Sequence, residues 1–138
     1  MMNELLRLSR KLYIKKIPFF PQAIYWFNRF FFACEISYLV DIGEDTVFAH
    51  SGLGVVVSDD AVIGKNCHIL QNVTIGGRGG GKVPIIGDNV LLGAGSCILG
   101  DVRIGDGAKI GANAVVLQDV PAGAIAVGIP AIIKINKI

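Results

Sequence analysis

At 138 residues the chain has the size of one domain, with 52% hydrophobic residues, 18 glycines and a formal net charge of +2. No apolar run is long enough to span a bilayer, and the start of the chain lacks the apolar stretch and cleavage site of a secretory signal. Cys34, Cys67 and Cys97 have no paired spacing and no CxxC, so they read as buried or half-buried free thiols of a reducing cytoplasm, not as a disulfide framework or redox motif.

Charge gathers at the start. Residues 1–34 carry Arg7, Arg10, Lys11, Lys15, Lys16 and Arg29 against Glu4 alone, together with eight aromatics from Phe19 to Phe32 in addition to Tyr13. Residues 3–16 are predicted to form a basic helix, which Pro18 and Pro21 break, and Ala23 to Ala33 a second one. One reading is a helical cap over the open end of a solenoid. The other is an interfacial contact with a membrane, basic residues lying beside aromatics, at the inner face of the bilayer. Because the rest of the chain is slightly acidic and carries no basic patch, nucleic-acid binding is not expected.

From residue 35 onward a period of six takes over. Ile86, Leu92, Ile98, Ile104, Ile110 and Val116 share one phase, and Val57, Ile63, Ile69 and Ile75 hold the same spacing upstream. Four residues after each aliphatic stands something small or β-branched: Ala61, Cys67, Val73, Val90, Ser96, Val102, Ala108, Ala114 and Val120. A helix repeats at 3.6 and a half-buried strand at 2, so a strict six is neither. It predicts an all-β solenoid, a parallel β-helix of hexapeptide repeats over 35–138, preceded by the 1–34 cap. Each hexad is a short strand plus a corner, and three hexads close a triangular coil. The aliphatics point inward and stack on the next coil about 4.8 Å along the axis.

The repeat breaks twice, and breaks in a solenoid project from its faces. Ile75 and Ile86 are eleven apart, which ejects a loop over 76–85 containing Gly76, Gly77, Arg78, Gly79, Gly80, Gly81 and Lys82. Its glycines let backbone approach a ligand, and Arg78 and Lys82 suit phosphate. The earlier aliphatics Ile36, Ile42 and Phe48 run three residues out of phase, and Ala49–Gly54 absorbs the shift. His50 lies in that irregularity, flanked by small residues, whereas His68 lies inside a regular hexad and is expected to point outward. These two histidines, without a cysteine cluster, do not furnish a catalytic zinc site, and no metal is expected.

From about Glu35 to Ile135 the chain resembles the serine acetyltransferase branch of the hexapeptide acyltransferases. The stretches that carry the resemblance are Ala49-His50-Ser51-Gly52, Ala61-Val62-Ile63-Gly64, Ile69 to Gly77, Gly93-Ala94-Gly95, Ile110 to Val116, Val120 to Gly123 and Val127 to Ala131. The resemblance implies a left-handed coil and a homotrimer with each active site between neighbouring prisms. It also implies acetyl transfer from acetyl-CoA to a hydroxyl, with histidine as general base. Carried over by position, His50 is the base and Glu35, fifteen residues earlier, its acidic partner, with Asp41 and Asp45 as competitors. The acyl donor is assigned to Gly76, Gly77, Arg78, Gly93, Ala94, Gly95, Gly111, Ala112 and Lys134, with Lys82 and Lys109 as further phosphate candidates.

Two departures concern the acceptor. Serine acetyltransferases place an Asp before the catalytic histidine and close the glycine loop with Arg-His-Pro, whereas Ala49 and Lys82-Val83-Pro84 stand here. Ala49 supplies no carboxylate for an α-ammonium. In these replacements and the short aromatic N-terminus the chain looks more like the small O-acetyltransferases of capsular and exopolysaccharide pathways. A sugar hydroxyl is therefore the expected acceptor, with L-serine, an amino sugar or a non-catalytic scaffold as alternatives.

Overall fold

Two helices lead into a run of very short strands in the computed structural model, which describes residues 1–135. Helix α1 covers Met2–Ile14 and α2 covers Phe20–Phe32. Pro21 does not end a helix, contrary to the sequence expectation. It occupies the first turn of α2, where its missing N–H has no intrahelical partner to lose.

The first coil contains β1 (Glu35–Ile36), β2 (Asp41–Ile42) and β3 (Val47–Phe48). The second holds β4 (Val56–Val57), β5 (Val62–Ile63) and β6 (His68–Ile69). The third holds β7 (Thr74–Gly76), β8 (Ile85–Ile86) and β9 (Leu91–Leu92). The fourth holds β10 (Cys97–Leu99), β11 (Arg103–Ile104) and β12 (Lys109–Ile110). Finally β13 (Val115–Val116), β14 (Ile125–Val127) and β15 (Ile132–Lys134) close the chain.

Strands from successive coils stack into three sheets, the faces of a triangular prism. The first face runs β1-β4-β7-β10-β13, the second β2-β5-β8-β11 and the third β3-β6-β9-β12-β14-β15. Every pairing is parallel except β14 with β15. Register keeps the aliphatics in columns: Val57 opposite Ile75, Ile75 opposite Ile98, Ile98 opposite Val116. All of these are buried, as are the small residues at the fourth position from Ala61 to Ala114. The interior is thus the predicted one, hexad by hexad, until Val116.

After Val116 the repeat changes. Val120 bridges Ile104, so it fills the aliphatic column and not the small position that the spacing assigned to it. The corner between them is two residues short, and Ala126 then lies opposite Ile110. Small Ala124 and Ala126 fill the interior there, and β15 folds back antiparallel on β14 to close that end.

The other end is closed by α1. Met2, Leu6 and Ser9 recur at helical spacing and are buried, Met2 and Leu6 in the core with the first coil and Ser9 donating to the Pro21 carbonyl of α2. The Asn3 side chain donates to the Phe48 carbonyl at 3.2 Å and accepts from the Phe48 N–H at 2.9 Å. Arg7 donates to the Thr46 carbonyl, and Arg10 to those of Tyr38 and Leu39. These side chains occupy backbone groups that an open solenoid end would leave for another chain.

Candidate active site

His50 sits where the third face turns into the first, between β3 and β4. The turn Ala49–Gly52 holds the three residues that the hexad has no place for, and His50, Ser51 and Gly52 take φ of 51°, 56° and 67°. Left-handed backbone at two consecutive non-glycine residues is uncommon and marks stored strain of the kind found at functional sites. The cap underpins this turn. A Cβ on Gly52 would lie 2.8 Å from Met2 Cε, and the Gly54 N–H donates to the Ala33 carbonyl just after α2. The His50 side chain is exposed and makes no hydrogen bond among the described residues. His68 is exposed on β6, outward as expected.

The same edge carries the corners of every later coil. Gln71-Asn72 lie between β6 and β7, Gly93-Ala94-Gly95 between β9 and β10, and Gly111-Ala112-Asn113 between β12 and β13. The structure therefore aligns His50 with five of the residues assigned to the acyl donor. The N–H groups of the glycines are taken up within the prism. The N–H groups of Gly93, Gly95 and Gly111 are bound to Ile110, Gln71 and Ala126 carbonyls, and a Cβ on Gly93 would stand 2.6 Å from the Ala112 nitrogen. Gly93 is required by the stacking of coils.

The backbone donors left over on this edge are the N–H groups of Gln71, Ala94 and Ala112, which make no bond among the described residues. Each precedes a left-handed residue, Asn72, Gly95 or Asn113, and each repeats on the next coil. Gln71 was not singled out from the sequence. Its signal was its position one before the left-handed Asn72, the place where a corner turns its peptide outward.

The other candidates lie elsewhere. Gly76 belongs to β7, where its carbonyl accepts from Gly100, so the loop proper runs from 77 to 84 at the junction of the first and second faces. Arg78 lies across Gly100, with its Cβ 3.2 Å from where a Cβ would stand there. Lys82 pairs with Asp101 at 3.6 Å, both well exposed, which makes this a weak, salt-sensitive contact. Gly79 and Gly80, at φ of 67° and 75°, face open space at the tip. Within one protomer the glycine loop and the His50 edge are separate. Lys134 is exposed on β15, at the far end of the third face from β3.

Glu35 does not meet His50. Its carboxylate is bound by Arg29 of α2, an ion pair that raises the guanidinium pKa. Asp41 faces Arg10 at 3.9 Å. Of the thiols, Cys34 and Cys67 are buried and Cys97 half-buried, all free. Burial pushes the Cys34 and Cys67 pKa values up, and Cys67 donates to the Gly87 carbonyl at 3.0 Å, so neither is a nucleophile.

Comparison with known proteins bears on this arrangement. The family described as bacterial transferase hexapeptide (six repeats) matches residues 84–118. Serine acetyltransferase of Synechocystis sp. is 47% identical over 127 residues, covering 90% of this chain and 51% of its own length. Among solved structures, soybean serine acetyltransferase in its apo form superposes with a TM-score of 0.88 at 42% identity, covering 96% of this chain and 56% of that one. A serine acetyltransferase solved in complex with CoA gives 0.87 at 34% identity, covering 96% and 55%. The chain spans about half the length of the relatives it matches.

Proposed function

We propose that this chain, which belongs to the hexapeptide-repeat transferases and to their serine acetyltransferase branch, transfers an acetyl group from acetyl-CoA to a hydroxyl. The observation that carries the reading is the His50 turn. An exposed imidazole on strained backbone shares one prism edge with the outward donors of Gln71, Ala94 and Ala112. Amide-rich pantetheine would lie along that edge with its thioester towards His50. The imidazole takes the proton of the acceptor hydroxyl as its oxygen attacks the thioester carbon. The C–S bond then breaks, and the imidazolium returns the proton to the departing thiolate. No acyl-enzyme is needed, and proton transfer of this kind contributes roughly 10²–10⁴-fold.

L-Serine is the acceptor that the relatives favour, since they are named for it and resemble the chain over most of its length. A sugar hydroxyl is the second reading, and one observation favours it: Ala49, beside His50, brings no carboxylate for an α-ammonium, and Val83 is turned partly inward. A closed homotrimer fits both readings, because the glycine loop and the His50 edge lie on different edges of one prism and a neighbouring copy would bring them together.

The deciding experiment follows CoA release from acetyl-CoA with L-serine, amino sugars and capsular monosaccharides or their nucleotide forms. Turnover with L-serine alone establishes the first reading. Turnover with a sugar and none with serine establishes the second. A protein that neither binds acetyl-CoA nor releases CoA is not a transferase.

A further inference from the structure

We propose that the outer side of α2 docks on an anionic lipid bilayer. The observation is a one-sided helix whose apolar side is turned away from the protein. Phe19, Phe20, Trp26, Phe27, Phe30 and Phe31 recur at helical spacing along one side and are all exposed, Phe30 at 89% and Phe31 at 69%. Pro21 and Asn28, on the opposite side, are buried. Phe27 and Phe31 stack at 4.3 Å, so part of the aromatic surface is already ordered. Exposed Ile14 and Ile17 lie at the hairpin tip, whereas the Tyr13 ring packs against Tyr38 of the first coil at 5.2 Å. A contiguous apolar surface of this extent marks a site of association.

Charge identifies what it associates with. Arg7 and Arg10 are turned to first-coil carbonyls and Arg29 to Glu35, so their positions are explained by the cap. Lys11 lines the cavity between α1 and the first coil beside Asp41, Glu44 and Asp45, which leaves Lys15 and Lys16, both exposed, just after α1 at the tip where the aromatic side begins. Glu4, the one acid in residues 1–34, lies near the start of α1 and pairs with the N-terminal amine at 3.6 Å. Two copies meeting by this surface would bring lysines against lysines with no acid opposite. Anionic headgroups over an acyl layer satisfy both the lysines and the rings. The helix lies on the bilayer and does not cross it: no helix among the described residues is long and apolar enough to span.

This inference does not depend on the acetyl-transfer reading. Its test uses Trp26, the single tryptophan of the chain, which lies within the aromatic surface. The full chain is titrated with vesicles of phosphatidylglycerol and phosphatidylcholine in equal parts, and with phosphatidylcholine alone. The expected result is a blue shift of Trp26 emission and co-sedimentation with the mixed vesicles, weakened by salt. Phe30→Ser combined with Phe31→Ser should lower the bound fraction by about tenfold or more at unchanged circular dichroism. Lys15→Glu combined with Lys16→Glu should abolish the preference for phosphatidylglycerol. No shift with either vesicle, or binding that both double variants leave intact, overturns the proposal. So does a Trp26 emission already blue-shifted without lipid in a concentration-dependent oligomer, which would assign the surface to a second copy.

Discussion

Ile63, Ile86 and Ile104 follow one another in register through three coils, and nothing about the column changes from one to the next. The edge between the third and first faces is built from the same hexads, yet its corners hold His50-Ser51-Gly52, then Gln71-Asn72, then Gly93-Ala94-Gly95. Inside the prism each side chain is fixed by the one above and below, so identity is dictated by volume. At the edge the backbone needs only a left-handed residue at each corner, and what precedes it is free to vary. Insertions obey the same division: three residues leave at the His50 turn and five at the glycine loop, with register restored at once on the next strand. Stability belongs to the columns and chemistry to the edge, and substitutions should separate the two.

The largest separation is expected at the turn. His50→Asn removes the base but keeps a residue that tolerates positive φ, so activity should fall by roughly 10²–10⁴-fold at an unchanged melting temperature. Steady-state kinetics beside thermal unfolding checks it, and a variant that keeps its activity would remove His50 from the chemistry. Ile98→Ala is the converse. Ile98 is fully buried between Ile75 and Val116, and its loss should destabilise the fold by about 2–5 kcal/mol in urea unfolding, with near-normal turnover per folded molecule.

Asn3→Ala tests whether the division is complete. It removes both side-chain bonds to Phe48, worth about 1–3 kcal/mol together, and Phe48 stands two residues before His50. Stability and turnover should fall together here, because the cap supports the edge. A loss of stability with kcat untouched would make α1 a lid and nothing more.

A smaller effect comes from the buried thiols. Burial raises the Cys34 and Cys67 pKa values, so the folded state holds those protons more tightly than the unfolded chain. Their contribution is complete below the ordinary thiol pKa and is lost as pH rises through the folded value. Stability should therefore decline on the alkaline side, and Cys67→Ala should flatten that decline in unfolding measured across pH.

The columns were legible in the sequence because a buried position in a solenoid leaves its mark every sixth residue, from Val57 to Val116. The His50 turn was legible as a phase slip for the same reason. Val120 was misplaced because the pattern allows a small or an aliphatic reading of valine, and only the bridge to Ile104 decides between them. Pro21 looked like a breaker because sequence shows the residue and not its place in the first turn. The Arg29–Glu35 pair and the Lys82–Asp101 contact join residues whose proximity depends on where α2 and the loop settle in space, and no period encodes that. Gln71 escaped notice because its role at the edge is carried by its N–H, which every residue type shares.

Ser96 gives the finest test. It occupies the fourth position of its hexad, in a column that holds Val73 on one side and Ala114 on the other, and it is fully buried. Its hydroxyl oxygen has no hydrogen-bond partner among the described residues. A buried hydroxyl without a partner is destabilising, and alanine fills nearly the same space without it. Ser96→Ala should therefore leave the fold unchanged or stabilise it by up to about 1 kcal/mol, read as a rise in the urea midpoint at constant slope. The Ser96 N–H donates to the Gly93 carbonyl at 3.1 Å, so this residue also adjoins the edge where the acyl donor is proposed to lie. If columns and edge are independent, turnover will not move. A more stable variant with slower turnover would show that the interior hydroxyl serves the edge, and that the division between volume inside and chemistry outside fails at this corner.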